Sequence, residues 1–393
     1  MILTQCAFCA ADLGLSLGKK CGRCSTRYCG PECQKKHWES GGHDKLCKQI
    51  KKAGGAEQYN ANKNYAEALV VAVEACADDT KGQTCYICTQ ALHWKTKEGL
   101  VRMCSCRGTA GFVHVSCLAE QAKILVAEGE ENNMDTKVLS ERWNRWQACR
   151  LCGQAHHDEV ACALGWACWK TNLGRPEGSQ LRSLAMMFLA YSLQGAGQDK
   201  DALNVFEATL STELRLRDLS QFDIQVKILN LKSHIAVLKS NLGQKAEALA
   251  MQREIYAQES SLLGKGKQGN IQTALILSKQ LLDNKCFAEA RSLLRETIDI
   301  SRTSLGPDAE TTFRLCAMYS HGIILSCYAT RSADARDLLD AEKTLGENAE
   351  RARRVLGPKH SIVTQMLSDL ALLRKLLPKI HAALGISAGE ART

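Results

Sequence analysis

The sequence has little proline and few aromatic residues: 5 prolines and 5% Phe, Trp and Tyr in 393 residues. Few prolines and 45% apolar residues argue against a disordered chain and favour two or three folded, largely helical domains. Long apolar runs are also missing, since Leu69–Val73 and Leu184–Leu193 are too short or too interrupted to span a bilayer. No basic residue precedes the first apolar stretch, so we expect no signal peptide and a soluble protein of the cytoplasm or nucleus.

Cysteine, in contrast, is abundant, and its distribution indicates metal sites. Fifteen of the 20 cysteines lie in the first 152 residues, many in pairs at two-residue spacing and accompanied by histidines. This pattern suits tetrahedral zinc better than a disulfide framework. Counting fourteen zinc-bound cysteines as thiolates, together with four zinc ions, reduces the formal charge from +9 to +3. We therefore expect no nucleic-acid partner.

The first ligand set contains eight residues and closes with the string YCGPECQKKHWESGGHDKLC, Tyr28 to Cys47. The order of these ligands resembles the MYND zinc finger. The resemblance implies two interleaved zinc sites: Cys6, Cys9, Cys29 and Cys33 on zinc 1, and Cys21, Cys24, His43 and Cys47 on zinc 2. His37 is the competing eighth ligand, but His43 has the three-residue gap to the last cysteine that the family shows.

A module this small buries too little apolar area to fold alone, so zinc binding supplies much of its folding free energy. With four protein ligands on each ion, the zinc is structural and has no open position for catalysis. The MYND resemblance implies that short proline-containing peptides bind beside Gln34 and Trp38. The alternative is that Trp38 only packs the small core.

A second set of eight candidate ligands follows, with the core MCSCRGTAGFVHVSC between CYIC and CRLC. It resembles the RING-CH, or variant RING, finger of a class of membrane-bound ubiquitin ligases. Cross-bracing in that family implies Cys85, Cys88, His114 and Cys117 on zinc 3, and Cys104, Cys106, Cys149 and Cys152 on zinc 4. The sequence therefore predicts four structural zinc ions and no covalent catalytic residue.

The RING-CH resemblance implies a surface for a ubiquitin-conjugating enzyme, with Ile87 as an apolar contact. Two features depart from the family. Gln121 stands where a tryptophan is usual, and 31 residues separate Cys117 from Cys149. Trp143 or Trp146 supplies the missing contact, or both cover the metal site as core. Cys162 and Cys168 are interpreted as buried free thiols rather than a fifth site.

Long helical patterns and an internal repeat occupy the rest of the chain. Four helix segments align on Ala202, Ala248, Ala290 and Ala341, and a Leu-Gly pair fifteen residues beyond the last three predicts a C-cap glycine. With the phrases LGPDAETT and LGPKHSIVT, these segments resemble tetratricopeptide repeats of the kinesin-light-chain type. The resemblance implies a helical solenoid whose concave side binds peptide.

The predicted fold class is mainly α, with two small cross-braced zinc modules followed by an α-solenoid of helix hairpins. The predicted domains are a MYND-type finger, a linker with one helix, a RING-CH-type finger with a helical insertion, the repeats and a tail: 1–50, 51–80, 81–170, 175–385 and 386–393.

Two functions remain open: a soluble RING-type ubiquitin ligase that selects substrates with its other modules, and a non-catalytic protein-interaction adaptor. Partners are expected to be proteins, with neither a membrane nor a small-molecule substrate. A lysine methyltransferase that pairs a MYND finger with similar repeats is excluded, because the second zinc module occupies the only space for a SET domain.

Overall fold

The computed structural model describes residues 4–11, 13, 18–330 and 335–384. The tail predicted at 386–393 lies outside them. The chain divides into two compact units, Met1–Leu231 and Lys232–Thr393. In the described residues the fold is mainly α, as predicted, with a single two-stranded antiparallel sheet. None of the described helices is long and apolar enough to cross a bilayer.

Unit 1 begins with the first cysteine-rich module, in which β1 (Lys19–Lys20) pairs with β2 (Arg27–Tyr28) and two short helices follow. Its core consists largely of the candidate ligands themselves, joined by Tyr28 and Ile50. Such a core is too small to offset the chain entropy of folding without a metal. The helices of unit 1 are α1 (Pro31–Glu39), α2 (His43–Lys52), α3 (Ala56–Ala75), α4 (Val115–Glu131), α5 (Thr136–Trp143), α6 (Asp158–Asn172), α7 (Gln180–Gly195) and α8 (Asp199–Leu216).

Helix α6 is the centre of unit 1. It packs against α3, α4 and α7, and α7 packs against α8. Its sequence DEVACALGWACWKTN is buried on nearly every side, including Trp166 and Trp169. Gly165 allows the close approach of α7, because a Cβ there would lie 3.3 Å from Cα of Leu189. The linker helix α3 is therefore part of a packed helical layer rather than a spacer.

Helix α3 also contacts the second cysteine-rich module. The Tyr65 hydroxyl on α3 lies 3.2 Å from Oγ of Ser116 in the first turn of α4. The buried Glu98 carboxylate accepts hydrogen bonds from the Ser116 N–H and hydroxyl, at 2.7 and 2.6 Å. The ammonium of Lys170 on α6 lies 3.5 Å from the centre of the Tyr65 ring. These contacts fix the second module against α3 and α6.

Helix α9 (Phe222–Asn241) contains the boundary between the units, and unit 2 continues as a series of helices joined by short loops. The helices that follow are α10 (Lys245–Leu263), α11 (Gln268–Asp283), α12 (Phe287–Ser304), α13 (Glu310–Thr330), α14 (Ala335–Leu356) and α15 (Ser361–Leu384). From α10 to α15 each helix packs against the next, and α11 also contacts α13 as α13 contacts α15, which is the arrangement of stacked helix hairpins.

The predicted repeat signals have the expected structural roles. All four aligned alanines are fully buried, because they lie where a helix meets its neighbours closely. The three Leu-Gly pairs end α10, α12 and α14. The glycines adopt left-handed φ angles of 83°, 97° and 89°, which glycine reaches without strain: Gly264, Gly306 and Gly357.

Candidate metal centres and interaction surfaces

The sixteen candidate ligands lie in four groups of four, and in each group the ligand atoms are within 4.8 Å of one another. The groupings are those that cross-bracing implies. We number them as follows: group 1 is Cys6, Cys9, Cys29 and Cys33; group 2 is Cys21, Cys24, His43 and Cys47; group 3 is Cys85, Cys88, His114 and Cys117; group 4 is Cys104, Cys106, Cys149 and Cys152.

The spacing of the ligand atoms suits tetrahedral zinc. With Zn–S bonds of about 2.3 Å, two sulfurs of one tetrahedron lie about 3.8 Å apart. The Sγ atoms of Cys9 and Cys29 are 3.6 Å apart, and those of Cys106 and Cys149 are 3.7 Å apart. In group 2, the Sγ atoms of Cys21 and Cys47 are 4.0 Å apart. Each group can hold one zinc ion.

The four C-x-x-C pairs share one backbone turn. In each pair the residue after the second cysteine donates its N–H to the carbonyl of the first, at 2.8–3.0 Å. That residue is left-handed in every case, and three of the four are not glycine: Ala10, Ser25, Thr89 and Gly153, at φ 58°, 62°, 62° and 71°. Left-handed backbone at a non-glycine residue costs about 1–3 kcal/mol and persists where the surroundings enforce it. Zinc bound to both cysteines of the turn provides that restraint.

The two histidines present opposite ring nitrogens to the thiols. Nε2 of His43 is 3.4 Å from Sγ of Cys24, whereas Nδ1 of His114 is 3.3 Å from Sγ of Cys88. Nε2 of His114 lies 3.3 Å from the carbonyl oxygen of Ala91, and a proton donated there leaves Nδ1 free for a metal. Burial lowers the pKa of both imidazoles, which favours the neutral form that binds zinc.

The candidate-ligand thiols differ strongly in acidity from one position to another. Burial and the neighbouring Cys24 and Cys21 raise the pKa of Cys47 to about 12. The backbone N–H of Gln154 lowers the pKa of Cys152 to about 7. Crowded thiols cannot all ionise together, because each thiolate repels the next. A divalent cation at the centre removes this repulsion, so the donor sets fit zinc.

His37 lies outside group 2, although its ring is only 5.1 Å from that of His43. Its Nδ1 is 3.0 Å from the buried Tyr28 hydroxyl. The competing histidine thus packs beside the metal group and contacts Tyr28. Cys162 and Cys168 are both buried on α6 and belong to no metal group in the described part of the chain, which agrees with their interpretation as free thiols.

Gln34 and Trp38 stand one turn apart on α1 and so share a face of that helix. Trp38 is 45% exposed, and its ring centre lies 5.8 Å from that of His43. Trp38 therefore packs beside His43 of group 2 while part of its side chain stays at the surface, and its role in peptide binding stays a prediction.

Ile87 is half-buried in the turn between Cys85 and Cys88, and its N–H donates to Sγ of Cys85 at 3.4 Å. Gln121 is half-buried on α4. Trp143 and Trp146 are buried, with 6% and 1% of their surface exposed, because the insertion folds back on α4. Neither offers its ring to a partner, and the alternative, a covering role in the core, accounts for both.

The loop of residues 89–97, which contacts His114 of group 3 through Ala91 and His93, was not predicted from the sequence. Leu92 and Trp94 are exposed by 59% and 68%, and between them His93 is buried with its ring 5.4 Å from that of His114. These apolar side chains thus stand on a loop anchored at the metal group. The sequence did offer a signal for this exposed surface, because Trp94 follows the C-x-x-C pair closely and fits no apolar periodicity.

Comparisons with known proteins match two segments of the chain. Residues 6–47 match the MYND finger family model, and residues 85–138 match that of the RING-variant domain. The second match ends before Cys149 and Cys152, which the structure brings into group 4. The search of curated proteins finds no match.

Among solved structures, the chain is similar to the putative kinesin light chain nearly identical TPR-like repeats from Podosopora anserina. The identity is 14% over 63% of this chain and 99% of that one, with a TM-score of 0.39. It is also similar to BtubC (BKLC) from P. vanneervenii, at 14% identity over 71% and 89% of the two chains and a TM-score of 0.40. Likenesses this remote say nothing about function. The two zinc-finger matches make this chain a zinc-binding protein-interaction protein.

Proposed function

We propose that this chain is a RING-type ubiquitin ligase of the cytoplasm or nucleus, in which each of the four groups holds one structural zinc ion. Group 3 and its loop form the contact surface for a ubiquitin-conjugating enzyme. A RING module positions the enzyme that carries ubiquitin and performs no covalent step itself, so its activity depends on that surface. The MYND finger, through Gln34 and Trp38, and the helix hairpins select substrates.

The observation that carries this proposal is the exposed apolar loop at group 3. Ile87 lies in the turn between two ligands of the group, and Leu92 and Trp94 follow on the loop held by His93. Exposed tryptophan is typical of the centre of a binding surface. We propose that Trp94 serves as the aromatic contact that Gln121 does not provide.

Autoubiquitination of the zinc-loaded chain with a panel of conjugating enzymes tests the proposal. We expect Ile87→Ala and Trp94→Ala each to lower the rate about tenfold or more, because each removes a buried apolar contact from the complex. Leu151→Ala is the matched control. Leu151 is exposed and has the same position in the C-x-x-C turn of group 4 as Ile87 has in that of group 3. It should leave the rate unchanged.

The alternative is a non-catalytic adaptor. Gln121 favours it, because the RING-CH family usually has a tryptophan at this position, which lies on α4 here. If the folded, zinc-loaded chain forms no ubiquitin chains with any enzyme of the panel, the adaptor replaces the ligase. Binding of proline-containing peptides that Trp38→Ala weakens would then identify its activity.

A further inference from the structure

A cavity of about 380 Å³ lies in unit 1 between α3, α6 and the start of α8, away from the four metal groups. Its volume is at the low end of the range for ligand pockets, about 300–1,000 Å³, and fits a group the size of one long side chain. Val71 and Trp166 contribute apolar surface to its lining, and Cys162 is among the lining residues with 2% of its surface exposed.

Three carboxylates line this cavity, one from each helix: Glu67, Glu159 and Asp201. None of the lining residues is a lysine, arginine or histidine. In the described part of the chain, Glu159 and Asp201 make no ion pair, while Glu67 contacts Lys63 at 3.7 Å in a pair that is largely exposed. A surface pair of this kind is weak, so Glu67 can turn to another cation.

Helix N-termini explain only part of this charge. Glu159 and Asp201 lie in the first turns of α6 and α8, where acidic residues stabilise the helix dipole. Each N-terminus contributes about half a positive charge, so the three carboxylates outweigh the two helix N-termini and the lining is acidic. Glu67 lies in the middle of α3 and has no such role. The negative charge of the lining also affects Cys162. Burial raises the pKa of its thiol most, and Glu159 and Asp201 add to this effect, so that the pKa is about 11.

We propose that the cavity binds a lysine or arginine side chain of a partner protein. The alkyl part of that side chain packs against Val71 and Trp166, and its cationic end lies among the three carboxylates. Val70, which precedes the lining residue Val71 on α3, is 55% exposed and adds an apolar side chain outside the cavity. This extension favours a residue within a polypeptide, with apolar neighbours, over a free amine.

Fluorine NMR of the full zinc-loaded chain labelled with 5-fluorotryptophan tests this, with the Trp166 resonance assigned from Trp166→Phe. The probes are the tripeptide amide acetyl-Leu-Lys-Leu, its norleucine analogue and cadaverine. We expect the lysine peptide to shift the Trp166 resonance saturably and to bind about tenfold more tightly than the other two probes. Raising the salt concentration should weaken this binding.

Isosteric variants test the charges. Glu159→Gln and Asp201→Asn should each weaken the lysine peptide about tenfold and lower the midpoint of thermal unfolding by no more than a few degrees, since each also removes a favourable charge at a helix N-terminus. Glu131→Gln, at an exposed site on α4, is the matched control and should bind as the unmodified chain does. Equal binding of the norleucine peptide, tighter binding of cadaverine, an unmoved Trp166 resonance, or unchanged affinity in the two charge variants would each overturn the proposal.

Discussion

At the scale of single residues, His37 and His43 compete for one position in group 2. Only Nε2 of His43 faces the thiols, while Nδ1 of His37 contacts Tyr28. We expect His43→Ala to bind three zinc ions where the unmodified chain binds four, because the three remaining ligands hold the metal weakly. His37→Ala should keep all four. The zinc released on thiol modification gives the number of zinc ions per chain. If His37→Ala loses a zinc ion and His43→Ala does not, His37 is the ligand of group 2.

Cys149 and Cys162 both lie beyond residue 138, where the RING-variant match ends, and allow a second comparison between a candidate ligand and a free thiol. Sγ of Cys149 lies 3.7 Å from Sγ of Cys106, although the two residues are 43 positions apart in the sequence. Cys162 belongs to no metal group of the described residues. Cys149→Ser is expected to lose one zinc ion and Cys162→Ser none. Four zinc ions in both variants would exclude Cys149 as a ligand.

At the scale of one element, α14 and its C-terminal end contain two glycines with opposite expected effects. Gly357 follows the helix at φ 89°, where a side chain is strained, so Gly357→Ala should destabilise unit 2 by about 1 kcal/mol. Gly346 lies inside the same helix with open space where a Cβ would be, so Gly346→Ala should stabilise it by about 0.5–1 kcal/mol. Urea unfolding of both variants measures the change in the free energy of unfolding. Changes of the same sign would contradict the role of Gly357 as the residue that caps α14.

At the scale of the whole molecule, zinc removal should act on part of the chain. The core of the first module consists largely of its own ligands, whereas unit 2 has a large apolar core around Phe313 and Leu345. A chelator with a reducing agent should therefore speed amide exchange in residues 18–52 and 85–157 and leave α10–α15 protected. Group 1 should lose zinc first, because Cys9 and Cys29 are exposed. Equal loss of protection in α10–α15 would show that zinc stabilises the entire chain.

Much of this architecture follows from the sequence alone. Ligand spacing within C-x-x-C pairs, the Leu-Gly helix ends and the buried alanines Ala202, Ala248, Ala290 and Ala341 are local features. Their geometry depends on backbone preferences over a few residues, so the mainly α class and the sixteen candidate ligands could be predicted. The division of these ligands into four groups joins residues far apart in the sequence and was implied only by the resemblance to the two finger families.

Contacts between distant segments were decided only by the tertiary structure. The packing of α3 on α6, the burial of Trp143 and Trp146, and the exposure of Trp94 depend on which apolar faces meet. Sequence spacing carries no information on that choice, because many pairings bury similar areas. The acidic cavity exists for the same reason: Glu67, Glu159 and Asp201 come together only where three helices pack. The sequence alone indicated the candidate zinc ligands, because their spacing within C-x-x-C pairs is local, and packing decided which surfaces remain exposed, because exposure depends on which distant segments meet.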